Sequence, residues 1–121
     1  MTRVHVAGGG IGGLAAAWAC KAVGCDVTVA EQATALTEVG AGIQLGPNAV
    51  AVLDRWGLAE PLRQVASRPE RLRVLDAASG RVLGRLHLGA RARRLYGADY
   101  LTIHRADLQQ LLLQACTQAG V

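Results

Sequence analysis

Gly8, Gly10 and Gly13 stand in the spacing G-x-G-x-x-G, and Glu31 follows 23 residues after the first of them. A short β-branched, alternating stretch, Arg3 to Ala7 (R-V-H-V-A), runs into the glycines. An apolar stripe at helical spacing, Ile11, Leu14, Ala15, Trp18 and Ala22, leaves them. A glycine turn at such a junction suits an anion. The first N–H groups of a helix have no intrahelical acceptor and point at whatever lies above the turn, where the helix dipole adds roughly half a positive charge. A pyrophosphate is the natural occupant, with the N–H groups near Ile11 and Gly12 as donors. Gly8 permits the tight turn, Gly10 keeps side-chain atoms from between backbone and phosphate, and Gly13 lets helix and strand approach closely. Glu31 can accept both hydroxyls of an adenosine ribose, in charge-assisted bonds of about 1.5–3 kcal/mol each. The same charge repels a 2′-phosphate, which favours FAD or NAD over NADP. A glycine pattern alone is a weak signal, and its bland reading is a surface turn with a solvated glutamate. The glycine turn, its place between a strand and a helix, and the acid after the second strand make a three-part match.

The surrounding elements must position these groups. Lys21 in the last turn and Gly24 end the first helix, and Asp26 to Ala30 (D-V-T-V-A) forms a second strand. Strand, helix and strand within thirty residues is a βαβ unit, with parallel strands and a right-handed crossover. Ala41 to Leu45 reads as either a short strand or a loop. Pro47 opens a helix through Val50, Leu53 and Trp56, and Gly57 closes it. Arg71 to Ala77 and Arg81 to Leu88 flank Ala78-Ser79-Gly80 as a β-hairpin, where Asp76 serves turn chemistry rather than catalysis. A basic loop, Gly89 to Asp99, leads into the strand Tyr100 to His104. Leu108, Leu111, Leu112, Ala115, Cys116 and Ala119 then form one face of a helix that ends at Gly120.

Composition narrows the function classes. The chain has 121 residues, 51% of them apolar, enough for a packed core in one domain. Net charge is +4, yet residues 1–60 carry three basic and five acidic groups whereas 61–121 carry ten and four. Only Trp18, Trp56, Tyr96 and Tyr100 are aromatic, too few and scattered to stack nucleic-acid bases, so the basic half reads as a solvated face and no nucleic acid is expected. Cys20, Cys25 and Cys116 make neither a CxxC pair nor an even framework, which speaks against zinc and disulfides and for a reduced, cytoplasmic setting. Val4 to Cys20 has the outline of a signal peptide, but five glycines interrupt it. No apolar run of 18 residues exists to span a membrane.

Three stretches together carry a resemblance. V-A-G-G-G-I-G-G-L (6–14) with Glu31-Gln32, G-A-G-I-Q-L-G-P-N-A (40–49) and Y-L-T-I-H-R-A-D-L (100–108) are similar to the N-terminal part of the single-component FAD-dependent aromatic hydroxylases, the group of salicylate, 3-hydroxybenzoate and 6-hydroxynicotinate monooxygenases. The resemblance covers nearly the whole chain, and its second and third stretches are the more specific. It implies an α/β fold, the N-terminal portion of one Rossmann-like FAD-binding domain with an incomplete sheet, in which the hairpin and loop at 71–99 face the substrate domain. It also implies FAD as cofactor, NAD(P)H as reductant, and oxygen and a small aromatic acid or hydroxypyridine as substrates. A homodimer is compatible with it.

Residue by residue, the resemblance places Gly8, Gly10, Ile11, Gly12, Gly13, Glu31 and Gln32 at the dinucleotide and Ala41, Gly42 and Ile43 along the flavin and its ribityl chain. It sets Arg105 on the FAD and Gln44 towards the substrate. Each has a bland counterpart: Gly40 to Gly42 as a mere turn, Arg105 as a solvated first-turn residue, Gln44 as an ordinary strand residue. Asp107 fits the helix dipole better than the cofactor. His5 and His87 alternate with apolar neighbours as structural residues, while His104 suits either support of Arg105 or a helix cap. Arg91, Arg93 and Arg94 could steer an anion, with an exposed loop as the plainer reading. Members of the group are longer, so the expectation is a fragment, inactive alone, holding half of a cofactor site and no catalytic acid or base. An NAD-dependent dehydrogenase fragment suits Gly8 to Glu31 equally but lacks a Tyr-x-x-x-Lys pair and leaves 40–49 without a role. A non-catalytic nucleotide-binding remnant that pairs through an open sheet edge is the third reading.

Overall fold

A computed structural model describes residues 1–36 and 40–121. The chain divides into two compact units, Met1–Ala41 with His104–Val121, and Gly42–Ile103.

The first unit begins with β1 (Arg3–Ala7), α1 (Ile11–Ala22) and β2 (Asp26–Ala30), the elements read from the sequence. β1 and β2 are parallel, in register from Arg3 opposite Asp26 to Ala7 opposite Ala30. That alignment brings the ends of both strands level, so the glycine turn after β1 and Glu31 after β2 are neighbours. The long helix numbered α5 (Arg105–Gln118) completes this unit and packs on α1. Leu108, Leu111, Leu112, Ala115 and Cys116 bury the face that the spacing predicts, against Leu14 and Ala17 of α1. Ala17 is wholly buried, and its small side chain lets the helices approach closely. The Cys116 thiol donates to the Leu14 carbonyl at 3.3 Å, and burial pushes its pKa up. Gly24 and Gly120, at φ +87° and +79°, end the two helices in the left-handed conformation that glycine adopts without steric cost.

The second unit holds β3 (Gly42–Leu45), α2 (Pro47–Arg55), α3 (Ala59–Val65), β4 (Arg71–Leu75), β5 (Val82–His87), α4 (Gly89–Tyr96) and β6 (Leu101–His104, whose last residue belongs to the first unit). The strand alternative for 41–45 holds from Gly42 onward, and β3 pairs with β6. α2 starts at Pro47 and Gly57 closes it at φ +78°, as read. β4 and β5 form the expected antiparallel hairpin. Its turn is organised by Asp76, whose carboxylate accepts the Ala78 N–H at 3.0 Å and the Ser79 hydroxyl at 2.8 Å. Those bonds hold the Asp76 pKa low, the Ser79 hydroxyl contributing most.

Two features depart from the sequence reading. Segment 89–99 is not a loop: Gly89–Tyr96 is α4, with Ala92 buried and Gly97 in the left-handed conformation at its end. A helix fits because A-R-A-R-R-L contains strong helix formers and Gly97 is a helix stop, while the density of charge hid the short apolar face. α3 was not anticipated at all, although Leu62 within it is completely buried. Around the end of α4, three arginines converge on one buried carboxylate. Arg93 donates to Asp99 at 2.9 Å, and Arg63 and Arg68 lie at 3.8 and 3.7 Å. Part of the basic excess of this half is therefore a scaffold for Asp99 rather than a free face. Asp99→Asn is expected to lower stability by about 1–3 kcal/mol, the range for a charged hydrogen bond, and chemical denaturation of the two proteins checks it.

Candidate dinucleotide site

The first unit concentrates most of the predicted site residues around the turn between β1 and α1. Gly8 has φ +103°, a conformation that L side chains rarely adopt, and its N–H donates to the Ala30 carbonyl at 2.7 Å. A Cβ on Gly13 would overlap the Gly8 carbonyl oxygen, so helix and turn are in backbone contact there. Gly10 is the N-cap of α1, and a Cβ on it would meet nothing within 4 Å. The roles assigned to the three glycines, a turn, an open approach and a close packing, correspond to three different surroundings.

The backbone ladder of α1 begins with the Leu14 N–H donating to the Gly10 carbonyl at 2.9 Å. The N–H groups of Gly10, Ile11, Gly12 and Gly13 precede that bond and have no acceptor within the helix. No side chain caps this end, since Gly10 has none, and no acidic residue sits in the first turn to neutralise the dipole. The end of α1 is thus an uncapped set of donors.

Glu31 faces the same turn. Its Oε2 accepts the Gly9 N–H at 2.6 Å and its Oε1 accepts the Ala33 N–H at 2.8 Å. These bonds hold the carboxyl below its ordinary pKa, Ala33 contributing most and Gly9 next. A carboxylate offers about four acceptor positions, so two amide bonds leave capacity for a ribose hydroxyl. The bland reading of Glu31 as a solvated surface residue is replaced by one in which it ties β2 to the turn. Beside it, a groove of about 530 Å³ lined by Ala7, Gly8, Ala30, Glu31 and Gln32 opens at the C-terminal ends of the strands, the usual place for ligands in such folds.

Arg105 opens α5 and is half-buried, its N–H donating to the Ala41 carbonyl at 3.4 Å. A Cβ on Gly40 would lie 3.5 Å from its Cδ, so the 40–41 segment runs alongside this arginine. His104 occupies the N-cap position but makes no side-chain cap bond, and Asp107 sits in the first turn, where it complements the dipole. Gly42, Ile43 and Gln44 belong to the second unit, on β3, with Gln44 exposed and a Cβ on Gly42 falling 3.5 Å from the Ile103 carbonyl oxygen. His5 and His87 are exposed strand residues, and no metal-binding cluster exists among the described residues.

Two contributors escaped the sequence reading. Gly9, the variable position of the motif, is buried, and a Cβ there would come within 2.7 Å of Leu36. Gln109 is buried and donates to the Gly9 carbonyl at 3.1 Å. The signals were a run of three glycines and a glutamine among the apolar positions of α5.

A family model described as an NAD(P)-binding Rossmann-like domain matches residues 6–41. A 3-hydroxybenzoate 6-hydroxylase of Polaromonas naphthalenivorans is 44% identical over 117 residues, 97% of this chain and 29% of the relative. The tetrameric form of 2-methyl-3-hydroxypyridine-5-carboxylic acid oxygenase superposes with a TM-score of 0.85 at 28% identity, covering all of this chain and 30% of that one. Klebsiella pneumoniae HpxO, solved with FAD and uric acid, gives a TM-score of 0.80 at 31% identity, over 93% of this chain and 28% of that one. The chain resembles the N-terminal part of the FAD-dependent aromatic hydroxylases. It spans under a third of the length of these hydroxylases, along nearly all of its own length. The α/β fold and the hydroxylase resemblance read from three sequence stretches are both borne out. No helix among the described residues is long and apolar enough to cross a membrane, as expected.

Two outcomes follow from the turn. Gly13→Ala must displace the Gly8 backbone and is expected to cost at least about 1–3 kcal/mol, measurable as a lower denaturation midpoint. Glu31 has a lowered folded pKa, so its contribution to stability is complete above the ordinary carboxylate range and is lost as pH falls through the lowered value. The stability difference between the native chain and Glu31→Gln should therefore be constant at neutral pH and shrink only in acid, as read by denaturation across pH.

Proposed function

We propose that this chain forms the nucleotide-binding portion of the FAD site in a flavoprotein monooxygenase that hydroxylates a small aromatic acid or hydroxypyridine with NAD(P)H and oxygen. The observation that carries the proposal is the uncapped start of α1 facing a carboxylate already held ionised by backbone amides. In this reading the N–H groups of Ile11 and Gly12 donate to the pyrophosphate, with Gly8, Gly10 and Gly13 shaping the turn. Glu31 accepts from the ribose, and Gln32 lines the adenosine side of the groove. The residues fit the group: Gly10 leaves open space where a phosphate must approach, and Glu31 retains acceptor capacity.

Arg105 supplies a fixed positive charge from the start of α5, and Ala41, Gly42 and Ile43 are assigned to the ribityl and ring side, where small residues permit close approach. Gln44 is assigned to the substrate. Bound FAD would supply the redox chemistry, in which two electrons from the nicotinamide and molecular oxygen place one oxygen atom on the aromatic ring and release the other as water. This chain's own share is to bind and orient; none of the residues assigned here moves a proton. The aromatic substrate class rests on the names of the relatives, which act on hydroxybenzoates and hydroxypyridines. A cytoplasmic location belongs to the same proposal, as does self-association of the complete protein into a homodimer. The three free cysteines suit a reducing compartment.

Titration of the purified chain with FAD and with ADP, followed by flavin fluorescence and calorimetry, tests the reading. Both should bind, NADP should bind more weakly because Glu31 repels its 2′-phosphate, and Gly10→Ala should weaken FAD by about tenfold or more with little loss of stability. Failure of both FAD and ADP to bind a folded chain contradicts it.

A further inference from the structure

Gly9 is held from both sides by groups distant in sequence. Its N–H donates to Glu31 Oε2 at 2.6 Å, and its carbonyl accepts from Gln109 Nε2 at 3.1 Å, across a separation of 100 residues. Gln109 is 4% exposed, on the second turn of α5. Its neighbour Gln110 donates to the Leu36 carbonyl at 3.0 Å, and Leu36 is the residue against which a Cβ at position 9 would collide. One turn of α5 therefore grips both the glycine turn and the segment that covers it.

The Gly9 carbonyl shares a peptide plane with the Gly10 N–H. No peptide bond among the described residues is cis, so the two groups point in opposite directions. A carbonyl drawn towards α5 sends the Gly10 N–H away from α5, and that N–H precedes the first intrahelical bond of α1. Glycine on both sides of this peptide means that no Cβ resists its rotation, so the sequence of the turn does not itself choose the plane. A donor on α5 can.

Resting on the nucleotide-binding reading above, we infer that Gln109 is the positioning residue that sets the direction of the Gly10 N–H and so presents the turn, ready-formed, to a diphosphate. The interaction does not touch the nucleotide. It removes the rotational freedom that a phosphate would otherwise have to restrain on binding, and it acts only on ligands that carry the diphosphate.

The test measures affinity for adenosine, ADP and FAD in the native chain, in Gln109→Met, which keeps length and loses the donor, and in Gln109→Glu, which keeps shape and replaces the amide donor with a carboxylate. The expected result is about tenfold weaker ADP and FAD in both variants with adenosine unchanged. In nitrogen-15 spectra the Gly10 amide should shift in both variants without ligand. Equal weakening of adenosine and ADP, or unchanged affinity for all three, overturns the positioning role, because general loosening of the fold would not single out the phosphates. If one variant fails to fold, the other decides. Native chain that binds neither ADP nor FAD would instead remove the nucleotide-binding reading on which the inference rests.

Discussion

A carboxylate at the end of β2 accepting an N–H from the middle of the glycine turn is the constraint on which the site depends. Three consecutive glycines have the largest conformational freedom a chain can have, and such a segment needs external ties to hold one shape. Parallel pairing sets β1 and β2 level, so Glu31 arrives beside Gly9, while the contact between Gly13 and the Gly8 carbonyl fixes the turn from the helix side. The same carboxylate that shapes the turn remains charged in doing so. Structure and prospective ligand recognition thus draw on one group.

The electrostatic logic of the first unit is local. The start of α1 offers donors with no acid or side-chain cap to neutralise them, and Glu31 offers an acceptor on the neighbouring strand end. A diphosphate attached to a sugar is complementary to that pair, whereas an isolated anion would use only half of it. Apart from Arg105 at the start of α5, the positive excess does not enter, because it lies between residues 61 and 103, which carry nine basic and three acidic groups. There, Arg63, Arg68 and Arg93 surround Asp99, which is buried and compensates part of their charge.

Much of this was legible in the sequence, and the limits have physical causes. β1, α1 and β2 were readable because their periodicities are strong and their ends are marked by glycine. The α5 face was readable because five of its leucine, alanine and cysteine positions fall on one stripe. α4 was obscured by its arginines, which mask an apolar face consisting of little more than Ala92, and α3 was too short for a period to emerge. Gly8, Gly10, Gly13 and Glu31 were found because their spacing reports local chain geometry. Gln109 was not, since its partner is 100 residues away and nothing in a local window predicts a bond of that range. Gly9 was passed over because a motif names its fixed positions, whereas close packing here involves a variable one.

The most direct measurement is a nitrogen-15 amide spectrum of the chain titrated with ADP. The account predicts that the amides of Gly10, Ile11 and Gly12 and those flanking Glu31 shift first and farthest, saturating together. Saturable shifts confined to residues 42–103, with the glycine turn unmoved, would contradict it.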